Sequence, residues 1–157
     1  MLGIVVLDQL SKLWAVRDLA DGPITVIGDD IGFALTRNTG SAFSLFQAFT
    51  PLLAIVAIGV AVLLVRAVRR TRDPLMVIGL SLVLGGALGN LIDRLFRSPG
   101  FLKGAVVDFV HVSSFPTFNV ADSAITVGAI LIVIWAVRAD MRERRDERTV
   151  EDASAGG

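Results

Sequence analysis

Two stretches of this sequence, residues 50–65 (TPLLAIVAIGVAVLLV) and 75–92, carry no ionisable side chain, and a third, 118–137, carries only Asp122. A helix crossing a bilayer needs roughly 20 mainly apolar residues, and about 17 suffice. The first stretch reaches that length with Phe49 and the aliphatic stem of Arg66, which can snorkel. A chain with three such runs in 157 residues is a polytopic membrane protein of one domain. The remaining charge is gathered outside these runs, as a hydrocarbon layer requires.

Residues 1–16 form a fourth apolar segment, interrupted by Asp8 and Lys12. It has no basic leader and no small-residue cleavage site, which excludes a signal peptide. It reads as a transmembrane helix that lacks its first turns. Four spans are therefore expected, at about 1–16, 49–66, 75–93 and 118–137.

Arginine fixes the orientation. Arg66, Arg69, Arg70 and Arg72 lie between the second and third spans, and Arg138, Arg142, Arg144, Arg145 and Arg148 follow the fourth. Four spans put both clusters on one side, and the positive-inside rule makes that side cytoplasmic, with both termini. Residues 17–49 and 95–117 are then outside. Within the first, 24–27 and 32–37 read as a strand pair around the turn residues Gly28, Asp29 and Asp30. Residues 42–49 (AFSLFQAF) read as a short helix in the interface plane. Residues 141–157 are dense in charge and are expected to be a disordered cytoplasmic tail, leaving 1–140 as the membrane domain.

Cysteine is absent, which removes thiol nucleophiles and thiolate metal sites. Lys+Arg 15 balances Asp+Glu 15, so nothing in the charge calls for nucleic acid. The informative residues are the costly polar ones near the bilayer: Asp8, Lys12, Asn38, Asn90, Asp93, Arg94, Asp108, His111, Asn119 and Asp122. In the four-span topology all of them converge on the outer face.

Each has a bland reading beside the functional one. Asp8 and Lys12 stand one turn apart, as a helix ion pair would. Ser81, Gly85 and Gly89 form a small-residue ridge for helix packing. Arg94 needs a carboxylate or carbonyl partner and suits a structural or a substrate-binding role equally. His111 has no second histidine with which to build a zinc site, and reads as an interfacial polar residue. Asn119 and Asp122 share a helix face after Pro116 and Thr117, a natural helix start. Helix-start chemistry alone could explain Asp122, although it is expected to lie too far inside for a simple cap. Asp108 sits among β-branched apolar residues, where desolvation raises a carboxyl pKa.

Two carboxylates within reach of each other share one proton. The ionised member can then take a proton from water while the protonated member polarises a carbonyl. The environments suggest Asp122 as the more acidic partner and Asp108 as the protonated one. A serine nucleophile finds no Gly-x-Ser-x-Gly elbow. Ser11 and Lys12 are adjacent and diverge on a helix.

The motifs Asp8-Gln9-Leu10-Ser11-Lys12, Asn38-Thr39-Gly40-Ser41-Ala42-Phe43, Gly89-Asn90-Leu91-Ile92-Asp93-Arg94, Val107-Asp108-Phe109 and Phe118-Asn119-Val120-Ala121-Asp122 occur in this order. Together, over about residues 4–138, they closely resemble the lipoprotein signal peptidase (signal peptidase II) family of bacteria. The resemblance implies four transmembrane helices, an extracytoplasmic β-cradle and a short interfacial helix. It implies an aspartic endopeptidase of the cytoplasmic membrane that cleaves a prolipoprotein just before a diacylglyceryl-modified cysteine. By the same resemblance Asp108 and Asp122 are catalytic, Asn38, Arg94 and Asn119 bind substrate, and Asp8, Lys12 and Asn90 support them. No metal or organic cofactor is implied, globomycin is the expected inhibitor, and lipid-modified substrate and membrane lipid are the expected partners. Nothing demands more than a monomer.

Two features depart from the family: a shorter N-terminal helix, and a longer stretch between Arg94 and Asp108 with turn residues Ser98, Pro99 and Gly100. The rival functions are a small transporter, which would show repeats or broken helices near the midplane, and a non-catalytic scaffold, which would leave the two aspartates without a task.

Overall fold

The computed structural model describes residues 1–28, 30–39 and 50–155. The described residues form four helices and four strands, in the order α1 Leu2–Asp18, β1 Ile24–Ile27, β2 Ile31–Asn38, α2 Thr50–Arg70, α3 Pro74–Phe96, β3 Val106–Val112, β4 Phe115–Phe118 and α4 Val120–Ala155. The expected interfacial helix at 42–49, and Asp29 of the expected turn, lie outside the described residues.

Three of these helices, α2, α3 and α4, are long and apolar enough to cross a membrane. At 1.5 Å per residue, the 23 residues of α3 extend about 35 Å, enough for a hydrocarbon layer of about 30 Å. Their apolar side chains face outward, among them Leu52, Ile55, Leu63, Ile78, Ile130 and Val133. An apolar exterior on this scale belongs in lipid, so the protein is membrane-embedded.

Helix α3 is the centre of the bundle and packs against the other three helices. It begins cleanly, with Asp73 accepting from the N–H groups of Leu75 and Met76 and Pro74 in the first turn. The seam with α4 is close because glycine lines it. A methyl group on Gly86 would collide with the Ala121 carbonyl, and one on Gly128 would come within 2.6 Å of the Gly79 carbonyl. The ridge expected from the sequence serves another neighbour as well. Gly85 lies against Ile4 of α1 and Met1 just before it, while Gly89 meets Asp8 of α1 and Ala121 of α4.

Helix α1, 17 residues and about 25 Å long, runs parallel to the second half of α3. With Asp8 and Lys12 inside it, α1 falls short of a span by length and composition, so three of the four expected spans are present in that sense. Its far end is a platform for the sheet. Ala15 and Leu19 pack with Val107 and Phe109, and Trp14 meets Phe33 and Phe109 edge-on at 5.4 and 6.0 Å.

The sheet is antiparallel in the order β1-β2-β3-β4. The expected strand pair matches β1 and β2. Strand β3 was not legible as a strand because it is buried on both faces over Val106–Phe109 and so shows no alternation, and β4 is only four residues long and contains Pro116. Two expectations are corrected. Pro116 and Thr117 belong to β4 rather than to a helix start, which falls at Val120. The segment 141–155, expected to be disordered, continues α4 as helix. The membrane-spanning part has already nucleated the helix, and Arg and Glu, with the Asp140–Arg144 pair at 2.9 Å, let it propagate.

Candidate active site

The C-terminal turns of α3 and Arg97 just after them present Gly89, Asn90, Asp93, Arg94 and Arg97 toward α1, β3 and the start of α4. Lys12 of α1 is fully buried against this surface. Its ammonium meets Asp8 Oδ2, Asp93 Oδ2 and Asn90 Oδ1, each at 2.9 Å. Three donors thus find three acceptors, which a buried ammonium requires. Gln9 reinforces the junction by donating to Asp8 Oδ2, the Gly89 carbonyl and Asp93 Oδ1.

Both flanking carboxylates reach onward. Asp8 Oδ1 accepts the N–H of Ala121, the second residue of α4, at 3.0 Å, so α1 caps the α4 end. Asp93 Oδ2 accepts the N–H of Val107 at 3.1 Å, and its Oδ1 takes Arg97 Nε at 2.6 Å. Asn119 Nδ2 lies 3.3 Å from the Val107 carbonyl. Asp93 and Asn119 therefore hold both backbone polar groups of Val107, the residue before Asp108.

Asp108 is buried, with Asn119 Nδ2 at 2.6 Å from Oδ1 and Asn38 Nδ2 at 3.1 Å from Oδ2. Asn38 reaches it from β2, where its backbone partner is Val106 and Asp108 is the next residue on the same face. Burial pushes the Asp108 carboxyl above the usual carboxylate range. The charge of Asp122 adds to this, while the two amides and Lys12 act in the opposite sense.

Asp122 is the third residue of α4 and forms a reciprocal capping pair with Asn119. Asn119 Oδ1 accepts the Asp122 N–H at 3.0 Å, and Asp122 Oδ2 accepts the Asn119 N–H at 3.2 Å. The expectation that Asp122 lies too far inside the helix for a simple cap is thereby corrected. Its other oxygen, Oδ1, accepts from Asn90 Nδ2 at 2.9 Å. Asn90 Oδ1 in turn receives Lys12 and Asn119 Nδ2. Capping leaves Asp122 linked on one side to the Lys12 network and on the other, through Asn119, to Asp108.

Arg94 donates to the Asn90 carbonyl at 3.3 Å and stands in the field of Asp108, Asp122 and Asp93. Among the described residues this end of the bundle gathers four carboxylates, Asp8, Asp93, Asp108 and Asp122, with three cations, Lys12, Arg94 and Arg97. Beside Asp122 opens a mainly apolar cavity of about 320 Å³, bounded by Phe115, Phe118, Ser123, Thr126 and Val127.

All eight residues expected at the site thus belong to one connected network. His111 lies apart on β3 opposite Gly32. Three members were not assigned roles from the sequence: Gln9, Asp93 and Arg97. Asp93 was visible as a costly polar residue, with Arg97 one turn on. Gln9 gave only its place between Asp8 and Lys12.

The family model for signal peptidase (SPase) II matches residues 1–138. The lipoprotein signal peptidase of Rhodococcus jostii is 51% identical over 132 residues, covering 83% of this chain and 67% of that protein. That of Mycolicibacterium smegmatis is 48% identical over 131 residues, covering 83% and 56%, and that of Streptomyces coelicolor 48% over 133, covering 84% and 65%. The chain thus spans 56% to 67% of the length of these relatives. Two solved bacterial membrane enzyme structures, obtained by the in meso method at 2.3 and 1.9 Å resolution, superpose with a TM-score of 0.71 each. They are 29% and 30% identical; the first covers 87% of this chain and 84% of its own, the second 86% and 88%.

Proposed function

We propose that this chain, which belongs to the signal peptidase II family, is an aspartic endopeptidase that removes the signal peptide from diacylglyceryl-modified prolipoproteins. The bond cut is the one before the lipid-modified cysteine. The observation that carries the reading is the bridging of Asp108 and Asp122 by Asn119, which binds the first through Nδ2 and the second through Oδ1 and the backbone N–H.

Asp108, protonated because it is buried, donates to the scissile carbonyl oxygen and polarises it. Asp122, ionised at the start of α4, takes a proton from the attacking water as the new C–O bond forms. The tetrahedral intermediate collapses with cleavage of the C–N bond, and the proton held by Asp122 passes to the leaving amine. Asn38, Asn119 and Arg94 orient the carboxylates and the substrate backbone, while Lys12, Asp8 and Asn90 hold the frame. The apolar cavity beside Asp122 suits a substrate that arrives from the lipid. A lipid anchor and a membrane-embedded signal peptide would confine the search to two dimensions and align the bond.

In this reading α1 is a fourth membrane helix and residues 1–140 are the peptidase domain. The enzyme works as a monomer in the bacterial cytoplasmic membrane, with both termini inside and the aspartates near the outer face. The test is cleavage of a diacylglyceryl-modified prolipoprotein in bilayers by the parent, Asp108→Asn and Asp122→Asn. Cleavage before the lipidated cysteine by the parent alone, with both variants folded, is the expected result. Activity retained in both variants would overturn the dyad.

A further inference from the structure

We propose that the end of the bundle opposite the aspartates holds a binding site for the phosphate headgroup of an anionic membrane phospholipid. The site is a cavity of about 260 Å³ between the start of α3 and α4, lined by Asp73, Pro74, Leu75, Trp135, Arg138 and Arg142 among others.

Its place in the fold selects the ligand. α3 runs from Pro74 at this cavity to Asp93 in the polar network, about 28 Å of helix, close to the thickness of the hydrocarbon layer. With the aspartates at one membrane interface, the cavity lies at the other, at the level of lipid headgroups.

Its side chains fit the same ligand. Arg138 and Arg142 stand four apart and so share one face of α4. Among the described residues neither forms an ion pair, whereas Asp140 nearby is taken by Arg144. Asp73, the acidic member of the lining, accepts from Leu75 and Met76 through Oδ1 and so caps α3. Two cations therefore face one engaged carboxylate, leaving the cavity net positive. Guanidinium groups match a phosphodiester with paired N–H donors. Trp135, half-buried, supplies the amphipathic ring that favours a bilayer interface. Exposed Ile78 and Ile134 continue the same strip of surface toward the membrane centre, where acyl chains would lie. A basic pocket between membrane helices at this level is the setting in which anionic headgroups bind. That continuity favours a lipid over a soluble oxyanion.

The sequence supplies its own reporter, since Trp14 and Trp135 are its two tryptophans. In a Trp14→Phe background, Trp135 emission is measured in phosphatidylcholine vesicles. These contain a minor fraction of either phosphatidylglycerol or phosphatidylcholine, each spin-labelled at the same acyl carbon near the headgroup. The expected result is stronger quenching by labelled phosphatidylglycerol, with the apparent preference falling about fivefold for each of Arg138→Gln and Arg142→Gln. Thermal unfolding of the exposed-site variants should match the parent, so a lost preference reports on binding. Equal quenching by the two labelled lipids in the parent overturns the proposal, as does a preference that survives the double substitution. Displacement by inorganic phosphate, but not by chloride at equal ionic strength, would assign the cavity to a free oxyanion and overturn the lipid assignment.

Discussion

The side-chain amide of Asn119 donates to Asp108 Oδ1 at 2.6 Å, while the same residue caps the helix that begins with Asp122 at its third position. Asn119 thus has two separable duties, and substitution can split them. Serine caps helices nearly as well as asparagine but is too short to reach Asp108. Asn119→Ser is expected to keep the parent's unfolding temperature within a few degrees and to lower kcat about 100-fold, the scale on which a misplaced catalytic group costs rate. Asn119→Ala should lose a similar rate factor and also about 1 kcal/mol of stability with the cap. Comparing kcat with thermal unfolding for the two variants checks this.

The elevated pKa of Asp108 predicts a pH dependence of known sign. Burial raises it in the folded protein, so the folded state binds more protons than the unfolded state between the ordinary carboxylate pKa and the raised one. The stability contributed by the protonated form is complete below the ordinary pKa and is lost as pH rises through the raised value. If Asp108 is the acid in catalysis, kcat should fall along the same alkaline limb. Asp108→Asn cannot ionise, so its unfolding temperature should lose that part of the pH slope. Unfolding of parent and variant across the acidic to neutral range, with parent kcat on the same axis, provides the check.

Lys12 is the most exposed to failure of all the buried groups, because two carboxylates depend on it. Replacing it with methionine keeps the packing volume but leaves Asp8 and Asp93 buried without their shared cation. Breaking a buried ion pair in this way typically costs about 3–5 kcal/mol. Lys12→Met should therefore unfold at far lower temperature than the parent. Adding Asp8→Asn should recover part of the loss, since Asp93 keeps Arg97 while Asp8 is the carboxylate left without a cation. A double variant no more stable than Lys12→Met would show that the two groups are not coupled.

Much of this arrangement was readable in the residues. The spans over α2, α3 and α4 followed from uncharged runs, and β1 and β2 from alternation around a glycine turn. Asp108 and Asp122 stood out because a carboxylate among apolar neighbours has few reasons to be there. Strand β3 escaped because burial on both faces erases the period-2 pattern at the very strand that carries Asp108, and β4 because it is four residues long and contains Pro116. The roles of Asp93 and Gln9 escaped for another reason: their partners are Val107 and Gly89, backbone groups brought near by tertiary packing. No spacing in the chain encodes those contacts. Capping at Asp122 was misjudged because the helix start was placed before Asn119, and a shift of a few residues changes an interior position into a cap.

The glycines of α3 predict two distinct failures. A Cβ on Gly86 would run into the Ala121 carbonyl, and backbone cannot yield as a side-chain tip can. Gly86→Ala should therefore force α3 and α4 apart and cost about 1–3 kcal/mol, the usual penalty of overpacking. A Cβ on Gly89 would instead come within 2.5 Å of Asp8 Oδ2, a side-chain atom that can move. Moving it loosens the hydrogen bond from Asp8 Oδ1 to the Ala121 N–H and the pair with Lys12. Gly89→Ala should thus displace the start of α4, and Asp122 with it, more than it weakens the bundle. Its kcat should fall by a larger factor than that of Gly86→Ala while its unfolding temperature falls less. The opposite ranking in both measurements would mean that Asp8 does not position the α4 terminus.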